Sequence, residues 1–173
     1  MKTLTLLLSF LIILSCGYGK TNNKTSSKII QNKIKVIINA KVLENDVFEV
    51  YYYESGQETF HPLDFVSSIV NGDSSSQEIV FELPELIYPE RLRLDFGKNK
   101  TQNSIQLYGI KLALNSKEYV FDSDEIVNEF KPSKFIDFDK NKLVIKTKII
   151  HGRYDPYFYS KNISNIVNYL LED

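Results

Sequence analysis

The chain of 173 residues has a single cysteine, two histidines and no tryptophan. With Cys16 alone, no intramolecular disulfide forms and no site of several thiolates can be built. His61 and His151 have no helical or strand spacing to each other. No Gly-x-Ser-x-Gly turn, Walker loop or His-Glu-x-x-His pair occurs. Neither sign of charge dominates: 21 basic residues face 22 acidic ones. That gives no broad electrostatic reason to expect a nucleic acid partner. Long helical periods are also missing, which excludes an α/β fold. Stability must come from an apolar core. Tyrosine and phenylalanine number 11 each, and with the isoleucines and valines they favour strands.

The first residues are apolar over a short span. Met1-Lys2-Thr3 is a basic start, Leu4 to Leu14 is apolar apart from Thr5 and Ser9, and polar residues follow at once. About a dozen apolar residues are too few to cross roughly 30 Å of hydrocarbon. A basic start, an apolar run and small residues at a cut describe a secretory signal. Ile13-Leu14-Ser15-Cys16 resembles the lipobox of bacterial lipoproteins, with Leu14 where a smaller residue is commoner. The resemblance implies a signal peptide over 1–15 and lipid attachment at Cys16, hence an exported chain tied to a bacterial membrane. Residues 16–32 are polar and read as a flexible tether. They hold no acidic tract behind Cys16, which favours a periplasm-facing anchor over the cell surface. The remainder, 33–173, is long enough for one domain.

From Lys33 the chain alternates. Ile34, Val36, Ile38, Ala40 and Val42 share one face, with Ile37 the exception, and Phe48, Val50 and Tyr52 follow opposite Glu49, Tyr51 and Tyr53. Leu63 to Val70 reads as a short strand or one helical turn. Ile79, Phe81 and Leu83 point inward, as do Leu92, Leu94 and Phe96 against Arg91, Arg93 and Asp95. In Ser104 to Leu114 the phase slips, and a bulge near Tyr108-Gly109 would bring Ile105, Leu107, Ile110, Leu112 and Leu114 to one core. Asn115-Ser116-Lys117 turns a hairpin. Ser123 reads as the N-cap of a short helix ending before Pro132. Leu143 to Ile150 and Tyr157 to Tyr159 are further strands, and Asn165 to Leu171 is an amphipathic end, helix or strand. Seven to nine short strands with one or two short helices predict an all-β fold, an antiparallel β-sandwich of jelly-roll type.

The order of Phe48-Glu49-Val50-Tyr51-Tyr52, Ile79 to Pro84, Leu92-Arg93-Leu94-Asp95 and Ile105 to Leu112 resembles galactose-binding-like β-sandwich modules appended to bacterial cell-envelope glycosyltransferases. Asp155-Pro156-Tyr157 is similar to a feature near the end of such modules. The resemblance covers roughly residues 34–160, without the transferase. It implies a role in handling envelope glycans.

Candidate sites follow from residue chemistry. Asp122-Ser123-Asp124-Glu125 offers oxygen ligands for calcium but lacks an EF-hand's spacing, and an acidic first helical turn explains it better. A catalytic carboxylate pair cannot be chosen from 22 acids, so neither an enzyme nor a cofactor is expected. Tyr51 and Tyr53 point outward from one strand, where rings pack on sugar faces or on cross-strand neighbours. Arg153, Asp155 and Tyr157 bring donors, acceptors and a ring to one turn, as a binding rim or as a plain turn with an Arg153–Asp155 pair. The expected function is a lipid-anchored binding module for a glycan or another envelope component. The alternative is a structural accessory subunit docked on another envelope protein.

Overall fold

A computed structural model describes residues 32–57 and 59–172. The signal peptide, Cys16 and the tether up to residue 31 lie outside the described residues. In chain order the elements are β1 (Lys35–Val42), β2 (Asp46–Tyr53), β3 (Phe65–Val70), β4 (Gln77–Glu82), β5 (Arg91–Asp95), β6 (Ser104–Leu114) and β7 (Lys117–Phe121). Then come α1 (Ser123–Glu129), β8 (Phe130–Pro132), β9 (Ile136–Asp139), β10 (Val144–Thr147), β11 (Tyr157–Ser160) and α2 (Ser164–Leu171).

The strands form two antiparallel sheets. The first runs β4-β1-β6-β10-β9, with β7 also paired to β6, and the second runs β3-β2-β5-β11-β8. The chain passes from one sheet to the other between β1 and β2, β3 and β4, β4 and β5, and β5 and β6, then through α1 between β7 and β8, and again between β8 and β9 and between β10 and β11. This back-and-forth winding is what makes the sandwich jelly-roll in type. One continuous core lies between the sheets, and α1 and α2, both packed beside β6 and β7, add Ile126, Val167 and Leu170 to it.

The alternation follows burial. Val36, Ile38, Ala40 and Val42 on β1 face Phe48 and Val50 on β2, and Leu92 and Leu94 on β5 join them, all essentially inaccessible. A side chain that leaves water this completely contributes roughly 1.5–3 kcal/mol through area alone. In β6 the register slips where Asn39 pairs with Gly109 and Ala40 with Leu107. Tyr108 is thereby left unpaired and turned outward, 53% exposed, while Ile105, Leu107, Ile110, Leu112 and Leu114 all stay in the core. The expected bulge therefore exists, and it reconciles eleven residues with one buried face. Ile37 is buried although it faces away from the core, because Val80 and Lys111 flank it across the sheet.

Some boundaries differ from expectation. The segment from Leu63 is a strand, β3, starting at Phe65. The helix cap is Asp122, one residue before Ser123: its carboxylate accepts from the Glu125 amide at 2.8 Å, and Glu125 accepts from the Asp122 amide at 2.9 Å. That reciprocal capping box uses the acidic cluster at the helix start. The C-terminal amphipathic segment is a helix, with Ile163, Val167 and Leu170 buried at helical spacing. Between Leu143 and Ile150 the strand is shorter than expected, because Leu143 adopts a left-handed backbone (φ 51°) and pairing ends at Thr147.

Candidate functional site

The outer face of the second sheet carries a dense group of polar and aromatic residues. Register fixes their order. Phe65 on β3, Tyr51 on β2, Arg93 on β5, Tyr159 on β11 and Lys131 on β8 lie in one row across all five strands. The adjoining row holds Ser67, Glu49, Asp95 and Tyr157. On the other side Tyr53 pairs with Arg91. Each of these residues alternates with a core residue, such as Val50, Leu94 or Phe158. The burial that holds the sheet therefore also aims this face outward.

Arg93 is the hub. Its Nε donates to Asp95 Oδ1 at 2.6 Å and its Nη2 to Asp95 Oδ2 at 2.7 Å. Nη2 also donates to Asp155 Oδ1 at 2.8 Å. The guanidinium carbon lies 3.8 Å from the centre of the Tyr157 ring and 5.4 Å from that of Tyr51. Burial works against the charge of Arg93, but the bond to Asp95 and its charge outweigh it, and the guanidinium pKa is raised. Burial also raises the Asp95 carboxyl above its ordinary value, and Arg93 offsets part of that rise. Beside this hub, Glu49 is 7% exposed. It accepts from Lys98 Nζ at 2.6 Å and from the Tyr51 hydroxyl at 3.0 Å. Burial first, and then the bond to Glu49, push the Tyr51 hydroxyl up to about 12.

The rings form two groups. Tyr51 stacks on Phe65, with centroids 5.1 Å apart and planes 30° apart. Phe60, from the loop after β2, lies 5.5 Å from Tyr53 and meets Tyr159 edge-on at 5.0 Å. Arg91 sits over Tyr53 at 5.6 Å. The same loop opens into a shallow depression of about 480 Å³ lined by Phe60, His61, Pro62 and Asp64.

Four of the residues singled out in the sequence meet on this face: Tyr51, Tyr53, Asp155 and Tyr157. Arg153 stands on the preceding turn, exposed, with its backbone paired to Ile150. Among the described residues its side chain bonds neither Asp155 nor Tyr157, and the guanidinium that joins them is that of Arg93. Sequence reasoning did not single out Arg93, Tyr159 or Phe60. Arg93 and Tyr159 both had outward parity, the signal that could have found them, but strand neighbours cannot be read from parity. Among the described residues no three of His, Cys, Asp and Glu converge as a metal set. Cys16 lies outside the described residues. No family model, curated protein or solved structure matches the chain.

Proposed function

We propose that the chain is a lipid-anchored module of the bacterial envelope that binds a glycan on the outer face of its second sheet. The observation that carries this reading is the Tyr53–Phe60–Tyr159 ring group, flanked by the Arg93 network. Ring faces pack on the CH faces of sugars, and guanidinium donors bond oxygens in fixed directions. The strands hold Tyr53, Tyr159 and Arg93 in place without a ligand, which lowers the ordering cost of binding. The pairing of Glu49 with Lys98, and of Asp95 and Asp155 with Arg93, supports binding over acid–base catalysis, because these carboxylates are already engaged. The lipobox-like Ile13-Leu14-Ser15-Cys16 supports attachment to a membrane at Cys16.

The test is retention of the purified chain in gels containing polysaccharide extracted from the producing cells' envelope. Tyr159→Ala and Tyr53→Ala should abolish retention with little change in melting temperature. Tyr108→Ala, on the other sheet, should leave retention intact. Equal retention of all three variants would contradict the placement.

A second reading, a structural accessory subunit docked on an envelope protein, is favoured by the outer face of the first sheet. There Val80, Tyr108 and Val120 are 40–62% exposed around Ile37. On that reading a protein co-purifies with the chain, and Val120→Asp releases it.

A further inference from the structure

We propose that the glycan is acidic, with sugar carboxylates held by Arg91, Lys131 and the free edge of Arg93 while sugar rings pack on Tyr159 and Phe60. The inference rests on the glycan reading and adds a ligand class to it. Its basis is which hydrogen-bonding groups on the face are already used. The carboxylates of the sheet face are engaged: Asp95 and Asp155 accept from Arg93, and Glu49 accepts from Lys98 and Tyr51. Asp64, beside Phe60 in the loop, accepts from the Gln57 side-chain amide at 3.3 Å and lies 3.8 Å from His61 Nδ1. Donors remain. Arg93 bonds through Nε and Nη2, so among the described residues the two N–H groups of Nη1 have no partner. Arg91 and Lys131 are exposed, and among the described residues neither meets a carboxylate within salt-bridge distance.

Register places these donors around the ring group. Arg91 lies over Tyr53, and Tyr159 pairs with Arg93 on one side and Lys131 on the other. A neutral sugar offers these donors only uncharged hydroxyl oxygens. A carboxylate only accepts, and charge-assisted bonds to guanidinium and ammonium groups are the strong kind. Overall charge does not supply this preference, because the chain is near neutral at −1. It is local to the face.

Binding of the full chain is measured by titration calorimetry against polygalacturonate, alginate, fully methyl-esterified polygalacturonate and polyglutamate. The expected result is binding to at least one of the two polyuronates, at least about tenfold weaker binding to the methyl ester, and no binding to polyglutamate. Arg91→Gln and Lys131→Gln should each weaken polyuronate binding by about tenfold, with melting temperature unchanged. Equal affinity for the acid and its ester overturns the acidic class but keeps the glycan reading. Equal affinity for polyglutamate overturns it as bare charge attraction. Binding to neither polyuronate also overturns it, and failure of the glycan reading is then told apart by lost retention on the extracted envelope polysaccharide.

Discussion

Removing Arg93 strands Asp95, whose side chain is 14% exposed, as a charge without its partner. Breaking such a pair is destabilising because the desolvation remains while the attraction is lost. With Arg93 itself a quarter exposed, Arg93→Met should cost about 3 kcal/mol. That falls within the roughly 2–5 kcal/mol expected for Leu94→Ala in the core. Outward parity alone would rank Arg93 far below Leu94. Urea midpoints at neutral pH compare the two variants directly, and a negligible loss for Arg93→Met would contradict the buried network. The pH dependence has a definite sign. The fold raises the Asp95 pKa, so the folded state holds its proton more tightly and gains stability as pH falls through that range. Loss of Arg93 raises the pKa further. The deficit of Arg93→Met should therefore be largest at neutral pH and shrink as pH drops toward about 4, the ordinary carboxylate value. A deficit that grows on acidification would show that Asp95 is not the group left uncompensated.

At the scale of elements, turns and caps decide where strands stop. Gly97, between β5 and the Lys98 turn, has φ +87°, and a Cβ there would lie 2.0 Å from the Asp46 carboxylate. That carboxylate accepts from the Lys98 and Asn99 amides. Gly97→Ala should therefore destabilise strongly through both strain and clash. Gly109→Ala at the β6 bulge, where a Cβ meets nothing within 4 Å, should be nearly neutral. Thermal melts of the two variants separate these cases, and equal losses would contradict the geometry. Asp122→Ala removes the α1 capping box and should cost about 1 kcal/mol. The long alternating strands were legible because one face is buried and the side-chain period is two: Val36 to Val42 and Leu92 to Phe96 announce themselves. β8 and β9 were not, since three or four residues such as Phe130–Pro132 and Ile136–Asp139 are too short to display a period. The bulge was legible at Tyr108-Gly109 because five apolar residues demanded one core. The hub of the face was not, because Arg93 meets Asp155 and Tyr157 through pairing of β5 with β11, about sixty residues apart, and nothing local encodes that partnership.

For the whole molecule, two sheets share one core and turn different chemistry outward. The first carries Val80, Tyr108 and Val120, and the second carries the rings and the Arg93 network. On the proposed reading the second face meets the glycan while Cys16 holds the chain at the membrane, so Cys16→Ala should abolish metabolic labelling with a palmitate analogue and release the chain from the membrane fraction. Continued labelling of that variant would remove Cys16 as the attachment point. Without tryptophan, the exposed aromatic surface is tyrosine and phenylalanine alone, and hydroxyl-radical footprinting reads those rings one by one. The most direct measurement is therefore footprinting of the full chain with and without saturating envelope polysaccharide. The account predicts protection at Tyr53, Phe60 and Tyr159, with Tyr108 and Tyr169 oxidised at unchanged rates. Protection at Tyr108 or Tyr169 instead, or at no aromatic residue, would contradict it.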